Sequence, residues 1–361
     1  MSDISRRDFL KGLAVGGTVG YFAMAGVSST VMRNSFIPPA KIGTADIGEC
    51  KSLKIKVITE TSWFNNAILM DDMKKAGGLL VNQYEIPWTN KGVTEGWKGD
   101  NAGGYATLVE VEFLDGSTKN ILLDTGWNVD WTDTCFKREG IDKMLANGEI
   151  DCLFVSHEHF DHFWGIEATL KYRPDIPILV PKGFYQEGFD LLKGAKFPKC
   201  HLANNCPHTG PLEIKESGKV HQLYPGVASI TFDVPIITRV FGEQALVFNL
   251  KDKGLAIVTG CCHMGIISLM EHVKQTIKDG DNFYAIQGGL HISPFEDWDP
   301  QYDDLVLALH NYGLKTMGCN HCTGYVTAEK FVTVGLPVVR GTAQHKSKRD
   351  IFLGNGDTII I

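Results

Sequence analysis

The chain has 361 residues, 43% of them hydrophobic and 21% charged, ordinary globular values that exclude disorder, coiled coil and collagen. A formal charge of −7 argues against nucleic acid as the main partner, because binding phosphates demands a basic face. The length fits two domains or one large one, and the nine cysteines are too sparse for a disulfide scaffold in a chain this long. Cys200 and Cys206 flank a short polar loop and could pair in an oxidising compartment.

At the N-terminus, Ser5-Arg6-Arg7-Asp8-Phe9-Leu10-Lys11 has the form of a twin-arginine export signal, and the stretch Gly12–Ala25 after it is mildly apolar and glycine-rich. That stretch is too short for a stable membrane span, which needs roughly 20 apolar residues. Ala23-Met24-Ala25 has the form of a cleavage site, whereas Glu49 before Cys50 fits a lipoprotein anchor poorly. The expectation is a signal segment over 1–33, a linker over 34–50 and a catalytic domain over 51–361. The translocase would be a partner during export, and the mature protein would be periplasmic or otherwise extracytoplasmic.

Alternation of apolar and polar residues predicts a strand over Leu53–Thr59. The stretch Asp71–Gly104, rich in Gly and Trp, reads as loops near a pocket mouth. Strands follow at Tyr105–Phe113 and Asn120–Leu123, joined by a turn at Asp115-Gly116, with Asp124-Thr125-Gly126 closing the second. A helix is expected over Gly140–Asn147, a short buried strand over Cys152–Ser156, a helix over Phe163–Lys171 and a strand over Ile176–Val180. The second half repeats the logic. Strands at Ala245–Leu250 and Leu255–Thr259 lead into Gly260-Cys261-Cys262-His263, and a helix spans Gly265–Ile277. A strand at Phe283–Ile286 ends at Gly288-Gly289-Leu290-His291; a helix over Asp303–Asn311 and a strand at Lys315–Gly318 lead to His321-Cys322-Thr323-Gly324. Strands alternating with helices imply an α/β fold with helices on the outer faces, and the polar clusters fall after strand ends, where such folds place their sites.

Residues 157–162 read His-Glu-His-Phe-Asp-His. In an extended loop residues two apart point the same way, so His157 and His159 can grip one metal while Asp161 and His162 face a second. Imidazole and carboxylate suit Zn²⁺ first, and also Fe or Mn. Glu158 and Phe160 would point away and hold the loop.

This H-x-H-x-D-H pattern after a strand resembles the signature of the metallo-β-lactamase superfamily, and Leu123-Asp124-Thr125-Gly126 resembles its first motif. Thr259-Gly260-Cys261-Cys262-His263, with Gly288-Gly289-Leu290-His291 and His321-Cys322-Thr323-Gly324, resembles its 7,8-dihydropterin-6-methyl-4-(β-D-ribofuranosyl)aminobenzene-5'-phosphate synthase subgroup. The resemblance implies a four-layer αβ/βα sandwich with two divalent ions at one edge. His157 and His159 would hold one ion; Asp161, His162 and His321 the other. The sequence departs from the family in two places. The usual histidine some 50–80 residues after the cluster has no clear counterpart in His208 or His221, and His263 is expected to complete the first site. Cys261 stands where most members have a bridging aspartate, either as a thiolate ligand or as an inert buried cysteine. His291 and Asp124 are expected as ligands or as supports around them. Cys319-x-x-Cys322 is expected to pack around the ligand loop, with a redox pair as the alternative.

The implied activity is metal-assisted hydrolysis of a small ester, phosphoester or amide by a metal-bound hydroxide, with Asp161 orienting the nucleophile or carrying its proton. Three alternatives stand beside it: a synthase-type transferase, a redox di-iron protein of the same fold, and a non-catalytic metal-binding protein. The redox members begin the loop with H-x-E-x-D, whereas position 159 here is His.

Overall fold

The computed structural model describes residues 44–60, 66–88, 104–295, 297–345 and 350–361. The expected signal and cleavage site, the first part of the linker and residues 89–103 lie outside the described residues. Residues 44–50, expected as the end of that linker, are instead stitched to the domain. Ala45 N donates to Thr276 O at 2.7 Å, Cys50 N donates to Asn249 O at 2.8 Å, and Ile47 is buried. Among the described residues no helix is long and apolar enough to cross a membrane.

In the first half, β1 (Ser52–Glu60), β2 (Tyr105–Glu112) and β3 (Thr118–Leu123) are antiparallel neighbours, with helix α1 (Asn66–Ala76) between the first two in sequence. Helices α2 (Val129–Glu139) and α3 (Ile141–Ala146) lead to β4 (Cys152–Phe154). Short helices α4 (Phe160–Phe163) and α5 (Glu167–Leu170) precede β5 (Ile178–Pro181) and α6 (Gln186–Leu192). The pair β6 (Lys196–Phe197) and β7 (Leu202–Ala203) then leads to β8 (Leu212–Lys215). The second half carries β9 (Val220–Tyr224), β10 (Val227–Pro235), β11 (Phe241–Leu250) and β12 (Gly254–Thr259) as a meander. After it come α7 (Ile266–Thr276), β13 (Phe283–Gly288), α8 (Tyr302–His310), β14 (Thr316–Cys319), α9 (Tyr325–Thr333) and β15 (Thr358–Ile360).

These strands form two main sheets, β15-β1-β2-β3-β4-β5-β8 and β14-β13-β12-β11-β10-β9. Their side chains sort by the two-residue period of a strand. In β11, Leu246 and Phe248 enter the core between the sheets, while Ala245 and Val247 face the other way onto α7–α9. In β12, Ala256 and Val258 face inward and Leu255 and Ile257 outward. Leu53, Ile55 and Val57 of β1 complete the inner core, and Leu108, Leu122 and Leu153 pack outward against α2 and α3 through Phe136, Ile141 and Leu145. The order of layers is therefore helix, sheet, sheet, helix, the sandwich that the resemblance implied.

Three local expectations are corrected. Asp71–Ala76 is not loop but the second half of α1, whose Leu69, Met73 and Ala76 recur at helical spacing and pack on the core. The helix expected over Phe163–Lys171 is broken into α4, a 3₁₀ turn at Trp164–Ile166 and α5. Cys200 and Cys206 are separate thiols.

Position of the site follows from topology. The neighbours β3, β4 and β5 run parallel, as do β12, β13 and β14, so their carboxyl ends line up at one edge of each sheet. Gln244 joins the two edges: its N donates to Ser156 O at 2.9 Å and its Nε2 to Val155 O at 2.8 Å.

Candidate metal centre

Asp124 leaves β3 in the left-handed region at φ 61°, unusual for a non-glycine residue. Its fully buried carboxylate accepts from Ser156 N at 2.6 Å and Ser156 Oγ at 2.7 Å, and meets His162 Nδ1 at 2.6 Å. Burial pushes its pKa up, opposed by His162 and Ser156. Because the Ser156 hydroxyl donates to Asp124, its oxygen is left to accept from His157 Nδ1, 2.9 Å away. One carboxylate thereby fixes two rings. Gly260, at the end of β12, makes this approach feasible: a Cβ there would overlap Ser156 Oγ and lie 2.9 Å from Asp124 Oδ2.

The other rings are held similarly. His159 Nε2 lies 3.0 Å from Ile237 O, and His263 Nδ1 lies 3.0 Å from Glu243 Oε2. Each partner is an acceptor, so the ring proton sits on the outward nitrogen of His157, His159, His162 and His263, and the inward nitrogen carries a bare lone pair. Those lone pairs converge. His157 Nε2 faces His159 Nδ1 at 3.0 Å, and His162 Nε2 lies 3.0 Å from Cys261 Sγ and 3.1 Å from His321 Nε2. His263 Nε2 is buried with no hydrogen-bond partner. Bare nitrogens at such separations repel one another unless a cation sits among them, so the donor set fits a divalent metal. Ligand atoms of His157, Cys261 and His263 lie within 4.8 Å of one another, and so do those of His162, Cys261 and His321.

At three of the rings charge agrees with this assignment. Burial drives His157 and His263 well below the usual imidazole range and His159 down to about 3, keeping all three neutral, as metal ligation requires. Burial works to raise Asp161, but His162 and His321 outweigh it and hold it as a carboxylate far below the usual range. Its Oδ2 lies 3.3 Å from His321 Nε2 and 3.6 Å from His162 Nε2. Burial also opposes charge on His321, yet Cys322 and Asp161 raise it to about 9.

The intervening residues of the loop clamp it from behind. Glu158 accepts from Tyr84 OH at 2.9 Å and Tyr185 N at 2.7 Å, and Phe160 packs on Trp88 and Trp127. The His263 ring stands 4.8 Å from that of His157 and 5.1 Å from that of His159, centroid to centroid, and the tilted His291 ring lies 4.3 Å from that of His263. His208 and His221 are elsewhere, bonded to Ile176 O and Glu216 O. A cavity of about 70 Å³ opens onto His159, Asp161, His263 and His321, its far wall formed by Leu69, Met73, Ile237 and Phe295. A larger hollow of about 580 Å³ near Arg340 and Asp350 holds none of these groups.

The sequence profile of the Metallo-beta-lactamase superfamily matches residues 99–201, a span that includes Asp124 and the whole 157–162 loop. The span 99–201 carries the metallo-beta-lactamase superfamily match. A 7,8-dihydropterin-6-methyl-4-(beta-D-ribofuranosyl)-aminobenzene-5'-phosphate synthase of Methanocaldococcus jannaschii is 28% identical over 260 residues, 63% of this chain and 83% of that protein. Among solved structures, a metal-dependent hydrolase of the beta-lactamase superfamily aligns at 19% identity and TM-score 0.49, over 79% of this chain and 94% of its own. A quorum-quenching N-acyl homoserine lactone lactonase aligns at 16% identity and TM-score 0.31, over 59% and 74%.

At this centre, sequence reasoning missed Glu243. Its carboxylate is buried in β11 and accepts from the backbone N of Cys261, Cys262 and His263 at 3.3, 2.7 and 2.6 Å besides holding the His263 ring. The available signal was a pair of polar residues, Glu243-Gln244, at the head of a strand otherwise apolar from Ala245 to Phe248. Ser156 was not singled out either, and of the expected Cys319-x-x-Cys322 pair only Cys322 reaches the centre. Cys319 lies in the apolar core under α7–α9, apart from the centre that Cys322 faces.

Proposed function

We propose that this chain is a metal-dependent hydrolase of small esters, phosphoesters or amides, exported by the twin-arginine route. The observation that carries the reading is the convergence of bare imidazole nitrogens from both halves of the chain, each ring fixed by an acceptor behind it. His157, His159 and His263 would hold one divalent ion and His162, His321 and Asp161 a second, with Cys261 between them and zinc the best match to the donors. Bound there, the metal supplies Lewis acidity that polarises the substrate oxygen and acidifies an attacking water. Asp161, kept deprotonated by its two imidazole neighbours, orients that water and accepts its proton. Glu243 and Asp124 keep the ligand rings in the tautomer that leaves their inward nitrogens free. The apolar wall of Leu69, Met73, Ile237 and Phe295 excludes bulk water from the reacting centre.

A transferase reading draws on the 28% identity to the archaeal synthase. The test is elemental analysis of the purified protein, with a panel of phosphodiesters and lactones assayed alongside a pterin substrate. Hydrolysis that disappears in Asp161→Asn while metal is retained supports the proposal. Turnover of the pterin substrate alone refutes it.

A further inference from the structure

We propose a third metal position, formed by Cys261, Cys322 and His291 and suited to a thiophilic ion. The adjacent parallel strands β12, β13 and β14 each place one donor just past their carboxyl ends, and the ligand atoms of the three residues lie within 4.8 Å of one another. The backbone is shaped around them. A Cβ at Gly289 would overlap Gly260 O and come within 2.8 Å of Cys322 Sγ, so glycine leaves the room the sulfur occupies. His291 sits at φ 46°, in the left-handed region, and its Nδ1 is buried without a hydrogen-bond partner. The Cys322 thiol makes a long contact, 3.7 Å, to Cys261 O and faces the side chains of Cys261 and His291. All three side chains line the cavity of about 70 Å³.

Two sulfurs and one imidazole form a soft donor set, which selects Zn²⁺, Cd²⁺ or Cu⁺ over Mg²⁺ or Ca²⁺. Binding releases the thiol protons to solvent as the thiolates coordinate. The Cys261 sulfur would bridge this ion to the histidine groups. The sulfur partner of Cys322 is therefore Cys261, across the strands, and not Cys319 of the C-x-x-C spacing.

This position shares Cys261 with the histidine centre but adds Cys322 and His291, and cadmium titration of the chelator-stripped, full-length protein separates the two. Bound ions are counted by native mass spectrometry, and thiolate coordination is followed by thiolate-to-cadmium absorption in the near ultraviolet. Cys322→Ser and His291→Ala should each bind one cadmium fewer than wild type, with weaker thiolate absorption in the serine variant, while Cys319→Ser matches wild type. His291→Ala carries the test if the serine variant does not fold. The proposal falls if either folded variant binds as many ions as wild type with the same absorption. His157→Ala reports separately on the histidine centre: loss of an ion there with none lost from Cys322→Ser would overturn this inference alone.

Discussion

Glu243→Gln keeps the volume of the side chain but turns one of its two acceptor oxygens into a donor. In the native site one oxygen takes Cys261 N and Cys262 N while the other takes His263 N at 2.6 Å and His263 Nδ1 at 3.0 Å. A glutamine that keeps its carbonyl toward the two cysteines presents an amide NH₂ to His263. The buried His263 N–H then has no acceptor, which costs about 1–3 kcal/mol in the metal-free protein. The imidazole must also accept at Nδ1, which moves its proton to Nε2, the atom otherwise bare and facing the cavity. Loss of such a support typically costs about 10–100-fold in metal affinity, equivalent to about 1.4–2.7 kcal/mol. Denaturant melts of the metal-free protein and zinc titrations against a chromophoric chelator would measure both quantities. Zinc affinity equal to wild type in a folded Glu243→Gln protein would refute the tautomer argument.

Three further expectations follow from the same geometry. His157→Ala and His159→Ala should each lose bound metal and activity while retaining the fold, checked by atomic absorption and circular dichroism; full metal content in both would remove the site assignment. Metal-free protein should lose stability as the pH drops below 6.5. His157, His159 and His263 are held neutral when folded but take up protons when unfolded, so each costs about 1.4 kcal/mol per pH unit in this window. His321, raised to about 9, adds stability as the pH falls from 9 to 6.5 and a constant amount below, whereas Glu158, raised to about 8, goes on adding it down to about 4.5 and offsets one of the three. A melting temperature that rises between pH 6.5 and 4.5 would contradict this balance. Replacing Arg6-Arg7 with Lys-Lys should strand the protein in the cytoplasm, read by fractionation; undiminished periplasmic protein would exclude the twin-arginine route.

The strands were readable because their alternation is local: β1, β2, β12 and β13 begin or end within two residues of where the pattern places them. The 157–162 loop was readable because six contiguous residues carry four donors. Glu243 was not, since its partners lie 18 to 20 residues away and only the folded hairpin of β11 and β12 brings them together. Helix α2 escaped although Asn128 caps it and Gly140 ends it, because its sequence, with Asp130, Asp133, Lys137 and Arg138, shows too narrow an apolar stripe. Helix α1 was not readable because its second half, Asp71–Ala76, runs straight into the glycines at 77 and 78. Cys322 was visible only as half of a C-x-x-C spacing, which points along the strand, whereas its neighbours lie across it.

The candidate ligand rings come from both sheets, His157, His159 and His162 after β4 and His263 and His321 after β12 and β14. Neither half of the chain can assemble the centre alone, so metal affinity depends on the sheets having docked. An ion that binds only the docked state adds RT ln(1 + [M]/Kd) to its stability, about 2.7 kcal/mol when free metal is 100 times Kd. The metal would thus act as a rivet between two half-proteins, and its loading would report that the tertiary structure is complete. A truncated or misregistered chain could still form either sheet, yet it would present scattered imidazoles with ordinary affinity for protons and none of the convergence that distinguishes the finished protein.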